Sequence, residues 1–249
     1  VILLGWAVSA SAGKFKVLVL NGDARNVEAA EVVKVAKVED HTFTYEEVRI
    51  EGGKFDGNMR GAQIVWFPWN GPGHDGAYFM DGAEDAFRKW VEAGGVVWIS
   101  AFDDNYRDPK GNQIGLWLPI DKHPVVVQNT GDTDVDITPA GHESGLFSTP
   151  NKVDFNAITL DDNFSGLDKD WIVLATRKDN AQPAVCYLKW GKGLYLEACI
   201  DTRDAGKIPS VIPLIPNGLL FLANFASGGL AVDPAERLST AWGRLKTRD

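Results

Sequence analysis

The chain is poor in the residues that mark several protein classes. Cysteine occurs only at Cys186 and Cys199, so at most one disulfide can form within it. The four histidines, His41, His74, His123 and His142, lie far apart, and no H-E-x-x-H motif is present. Positive charge is in deficit, with 25 Lys and Arg against 34 Asp and Glu and a net charge of −9. The basic residues are scattered, which argues against nucleic acid as a partner and against a polybasic membrane patch. No apolar run reaches the roughly 20 residues that a membrane-spanning helix needs. Internal repeats and low-complexity tracts are also missing.

What is present is ample core material. Hydrophobic residues make up 45% of 249, with nine Trp and twelve Phe, enough for one large core without a second domain. Val1 to Ala12, VILLGWAVSASA, is uncharged, starts apolar and ends in Ala10-Ser11-Ala12. This is the pattern of the later part of a signal peptide, so a secreted or periplasmic location is expected. The chain then divides into a remnant at 1–12, a domain at 13–228 and a polar tail at 229–249.

Glu84 to Asp104, EDAFRKWVEAGGVVWISAFDD, states the fold. Ala83, Phe87, Trp90 and Val91 share a helical face, opposite a charged face whose Glu84–Arg88 and Asp85–Lys89 spacings suit i,i+4 pairs. Gly94-Gly95 supplies a left-handed stop. Val96 to Ile99 is then an unbroken apolar run, as in a strand buried on both faces. Before it, Lys16 to Leu20, Thr42 to Ile50 and Ala62 to Phe67 read as strands, and Val27 to Val38 as a helix. This β-α-β-β-α-β order predicts a parallel sheet with right-handed crossovers.

Beyond Asp104 the periodicity loosens. Val125 to Gln128, Asp134 to Thr138 and Trp171 to Thr176 are strand candidates, and Gly141 to Phe155 reads as loop. Ala184 to Trp190 and Leu194 to Ile200 form a hairpin around Gly191-Lys192-Gly193. A closing helix is expected from about Asn217 to Ala226. If Lys192-Gly193 is the turn, Cys186 falls opposite Cys199 on one face, within reach of a disulfide.

The opening strand, FRKWVEAGGVVWIS and PAVCYLKWGKGLYLEACID together resemble the class I glutamine-amidotransferase-like superfamily, and within it the trehalose-utilisation (ThuA-like) group. The resemblance covers about Lys14 to Ser227. It implies an α/β fold: a flavodoxin-like, doubly wound, mostly parallel sheet with a late antiparallel hairpin. The amidotransferase nucleophile is a Cys on a tight turn between small residues. Here Ser100 stands in that place, with Trp98 and Phe102 where glycines belong. Ile200-Asp201-Thr202-Arg203 replaces the catalytic His. Glutamine hydrolysis is therefore not expected, and no catalytic residue is assigned.

Candidate binding residues come from strand ends, since parallel sheets bind ligands beyond their carboxyl edge. Asp23, Asp103, Asp104 and Asp201 each follow a predicted strand, as does the Asn70 to Asp75 loop with His74. Carboxylates with one His suit a hard divalent ion or acid–base work. Trp69 and Tyr106 could stack on a sugar beside them. The same residues equally fit ordinary loop and cap roles. Gly71 to Gly76 matches G-x-G-x-x-G, but it follows the third strand and contains Pro72, so a dinucleotide is not expected. Asn163-Phe164-Ser165 is a glycosylation sequon, of consequence only in a eukaryotic secretory pathway.

Three readings stay open. The first is a secreted, catalytically degenerate domain that binds a carbohydrate or other small molecule at the acidic strand ends. The second is a hydrolase or other enzyme of sugar metabolism using the same cleft. The third is a structural or interaction module. The sequence names no cofactor, metal or protein partner.

Overall fold

The computed structural model of the chain describes residues 12–21, 35–50, 54–68, 80, 82–100, 133–154, 160, 162–200 and 213–226, with the backbone of short strands at 73–74, 77–78, 106–107, 113–114 and 125–127. Their centre is a mixed nine-stranded sheet. β1 (Lys14–Asn21) lies between β3 (His41–Arg49) and β4 (Ile64–Phe67), parallel to both. β7 (Val96–Ile99) continues the parallel set beside β4, and β15 (Gly193–Ala198) follows beside β7. The expected neighbours β1, β4 and β7 are thus adjacent and parallel.

Antiparallel strands complete both edges. β14 (Pro183–Trp190), β13 (Trp171–Arg177) and β11 (Val135–Ile137) extend the sheet beyond β15. β2 (Lys37–Val38) closes the other edge against β3. Three two-stranded ribbons stand apart: β5 (Gly73–His74) with β6 (Ala77–Tyr78), β8 (Tyr106–Arg107) with β9 (Gln113–Ile114), and β10 (Val125–Val127) with β12 (Asn163–Ser165). The Gly71–Gly76 stretch therefore contains a strand of a ribbon, at Gly73–His74, and among the described residues that follow it the helix begins only at Glu84.

Every residue of β4, β7 and β15 is buried, which explains their continuous apolar composition. Helix α1 (Glu84–Glu92) covers one face, where the Phe87 and Phe67 rings are 6.1 Å apart. Helix α3 (Leu214–Ala226) covers the other, where Trp66 and Trp98 stack at 5.5 Å. Gly218 of α3 sits against that stack, since a Cβ there would lie 2.7 Å from the Trp98 ring.

Several local expectations need correction. The predicted helix cannot reach Val38: the chain reverses through Glu39, at φ +50, and Lys37-Val38 pair with β3 instead. Residues 22–34 lie outside the described set. The presumed loop Gly141 to Phe155 opens inside helix α2 (Pro139–Ser144), which is capped by the Thr138 side chain accepting the Gly141 N–H at 3.0 Å. Helix α3 starts at Leu214, three residues early, because Pro216 in the first turn needs no N–H partner. On α1, Arg88 pairs with Asp85 at i,i+3, 3.1 Å. Gly94, at φ +122, supplies the left-handed stop after α1. Trp90 is only partly buried, and the fully enclosed ring is Phe87.

Candidate functional site

Four of the five parallel strands, β1, β4, β7 and β15, bring their carboxyl ends side by side. Ile99 pairs with Phe67 on one flank and Glu197 on the other, so β4, β7 and β15 finish level. Asn21 closes β1, and its side chain donates to Glu47 at 3.0 Å. The described rim is thus Asn21, Pro68, Ser100 and Ile200. Among the predicted residues, Asp23, Trp69, Asn70, Asp103, Asp104 and Asp201 lie just past these positions, outside the described residues. His74 falls in β5 and Tyr106 in β8, with their side chains outside the described set as well.

Ser100, the residue that the sequence resemblance sets in the nucleophile's place, directly follows β7. Its hydroxyl is buried and already engaged. Oγ accepts the Trp66 indole N–H at 2.9 Å and lies 3.4 Å from both the Phe67 and Pro68 carbonyls, to which it can donate. The Ser100 N–H also donates to the Phe67 carbonyl at 3.1 Å. A hydroxyl held this way ties β7 to β4 beneath the rim.

The β15 side of the rim is anchored through an arginine. Arg177 is 1% exposed, and its guanidinium donates to Asp179 at 3.0 and 2.8 Å and to the Leu160 carbonyl at 3.0 Å. Leu160 in turn forms an antiparallel bridge with Ile200. The chain leaving β15 toward Asp201 is therefore fixed to β13. Asn163 of the sequon is buried, and its amide accepts from Asn180 at 3.4 Å, so the folded chain does not present it as an acceptor.

The hairpin register differs from the expected one. The turn is Gly191-Lys192, so Trp190 pairs with Gly193 and Cys186 falls opposite Glu197. Cys199 lies two residues further along the same face, its N–H donating to the Ala184 carbonyl at 2.9 Å. Such diagonal neighbours have Cα atoms about 7–8 Å apart, beyond ordinary disulfide spacing. Both cysteines are free and buried, and burial pushes both thiols well above their ordinary range, the nearby Glu197 adding to it. A charge in the middle of the apolar run GLYLEACI is the one sign of Glu197 in the sequence, which does not show which face it takes.

Glu197 is the most unusual group in the described structure. It is 0% exposed, and neither carboxyl oxygen has a hydrogen-bond partner among the described residues. The hydroxyl of Tyr195, on the same face of β15, is also buried without one. Loss of hydration pushes the Glu197 carboxyl well above its ordinary value, because burial disfavours the charged form. No group of three His, Cys, Asp or Glu among the described residues has a metal-holding arrangement, and no described helix is long and apolar enough to cross a membrane.

No family model matches the chain, and no curated protein sequence matches it either. Solved structures do share its fold. A protein of Parabacteroides merdae described as ThuA-like is similar over 86% of this chain and 91% of its own, with 13% identity and a TM-score of 0.52. A cytoplasmic protein of Salmonella typhimurium is similar over 84% of this chain and 99% of its own, with 10% identity and a TM-score of 0.51. The carbohydrate deacetylase Agd3 is similar over 82% of this chain, with 10% identity and a TM-score of 0.50. The chain spans only 33% of that enzyme's length. These likenesses define the class: an α/β domain on a mixed nine-stranded sheet, with the fold seen in a ThuA-like protein.

Proposed function

We propose that this chain is a ligand-binding domain that takes a carbohydrate or similar small polar molecule at the carboxyl end of its parallel strands, without amidotransferase chemistry. The observation that carries the reading is the level, adjacent finish of β4, β7 and β15 next to β1. Each of these strands leads directly into a segment holding candidate polar residues: Asp23, Asn70 and His74, Asp103 and Asp104, and Asp201. The committed hydroxyl of Ser100 supports the absence of nucleophilic catalysis there. The parallel strands lie in the order β3-β1-β4-β7-β15, which is second, first, third, fourth, fifth along the chain. That order, with a helix on each face, supports the finer description as a flavodoxin-like doubly wound sheet. The sugar preference is supported by the fold likeness to a ThuA-like protein and a carbohydrate deacetylase.

The test is titration of the protein with a panel of mono- and disaccharides, followed by calorimetry and by amide chemical shifts. Saturable binding is expected for at least one sugar, with shifts at Asn21, Ser100 and Ile200. The double variant Asp103→Asn, Asp104→Asn should weaken it tenfold or more. Ammonia release from glutamine should be zero. Sugars that bind with shifts only at the opposite strand ends, or a panel that never saturates, would overturn the proposal.

A further inference from the structure

The sheet encloses a carboxylic acid for which the proposed binding function has no use. Glu197 lies directly opposite Cys186 and beside Ile99 of β7, one step below the rim. Its side chain shares one face of the sheet with Tyr195 and Cys199 on its own strand and with Cys186 and Leu188 on β14. Among the described residues neither of its oxygens is bonded, and no Lys or Arg pairs with it. A carboxylate in such a place loses its hydration without compensation, whereas the neutral acid loses far less.

We propose that Glu197 is a built-in proton switch: the carboxyl end of the β14–β15 hairpin stays locked in the sheet while this side chain carries its proton, and loosens when the proton leaves. Among the described residues, the charged and titratable groups around this face do not offset an ionised Glu197. Cys186 of β14 and Cys199 of β15 are buried thiols, and Tyr195 is a buried phenol. Asp162, ahead of β12, and Glu92 of α1 act on this face with negative charge. Of the cations, Arg88 of α1 acts on Tyr195 but is paired with Asp85. Arg177 of β13 acts on Cys199 but is held by Asp179 and Leu160.

The sign follows from where the proton is held. In the unfolded chain the carboxyl titrates near its ordinary value of 4.5, and in the folded chain well above it. Between the two, the folded state keeps a proton that the unfolded state has lost, so the stability that Glu197 contributes is fully present below the unfolded value and falls as pH rises toward the folded one. One proton of difference changes the folding equilibrium constant by about tenfold per pH unit.

The experiment is urea denaturation of the wild-type chain and of Glu197→Gln between pH 5 and 8, with Glu197→Leu as a second variant should the first not fold. Histidine titration elsewhere is common to all three and cancels in the comparison. The ratio of wild-type to variant folding constants should fall by up to tenfold per pH unit as pH rises. Hydrogen exchange, corrected for base catalysis, should show pH-dependent loss of protection at Leu196 to Cys199 in the wild type but not in the variant. Parallel pH profiles for wild type and variant would overturn the switch. So would loss of protection spread evenly over β1, β3 and β15.

Discussion

Ser100 and Trp66 show how one buried hydrogen bond changes what a hydroxyl at a strand end can do. The indole N–H of Trp66 is buried, and the hydroxyl 2.9 Å away is the acceptor recorded for it. Ser100→Ala should therefore leave a buried donor unpaired and cost about 1–3 kcal/mol, read from the urea midpoint. A nucleophilic serine would instead lose an activity with little change in stability. The two cysteines give a second residue-scale test. Because Cys186 faces Glu197 and not Cys199, thiol titration of the unfolded, unreduced protein should return two free thiols per chain. One disulfide and no free thiol would contradict the register.

At the scale of elements, α1 and the β14–β15 hairpin are packed as one unit. A Cβ on Gly193 would lie 2.1 Å from the Gly95 carbonyl and 2.2 Å from that of Val91, and the Lys192 N–H donates to the Glu92 carbonyl at 3.0 Å. The helix C-terminus therefore rests on the backbone of β15. Within α1, Phe87 is fully enclosed whereas Trp90 is partly exposed and donates to the Ala62 carbonyl at 3.3 Å. Phe87→Ala should cost about 3–5 kcal/mol, and Trp90→Ala clearly less, because only the first leaves a closed cavity. Equal losses on chemical denaturation would show that the two rings are equivalently buried.

At the scale of the whole molecule, the parallel strands set the polarity of function. The carboxyl ends of β3, β1, β4, β7 and β15 leave on one edge, so the segments after them can act together; β13, antiparallel to β14, ends on the same edge, while β11 and β14 run the other way. The sugar titration tests this polarity, and the pH series tests the element that closes one side of it. The two outcomes are independent, because Glu197 lies beneath the rim and its variants are read by stability alone.

The sequence by itself determined the parallel core. Apolar runs such as Ile64–Phe67 and Val96–Ile99 are long enough only for strands, and Gly94 can stop a helix because only glycine takes φ +122 without strain. These are local properties, set by side-chain volume and backbone freedom. The hairpin turn was not local. Gly191 and Gly193 both suit a turn, and both lie where a Cβ would strike the backbone of α1, at Glu92 and Val91, while Gly191 alone of the two takes the left-handed turn position, at φ +60. That choice shifted the register by two residues, separated Cys186 from Cys199 and set Glu197 opposite a thiol. The same holds for Ser100, whose hydroxyl has no evident partner in the sequence until Trp66, 34 residues earlier, is brought against it. Long-range packing fixed those partners, and the chain order alone carries no record of it.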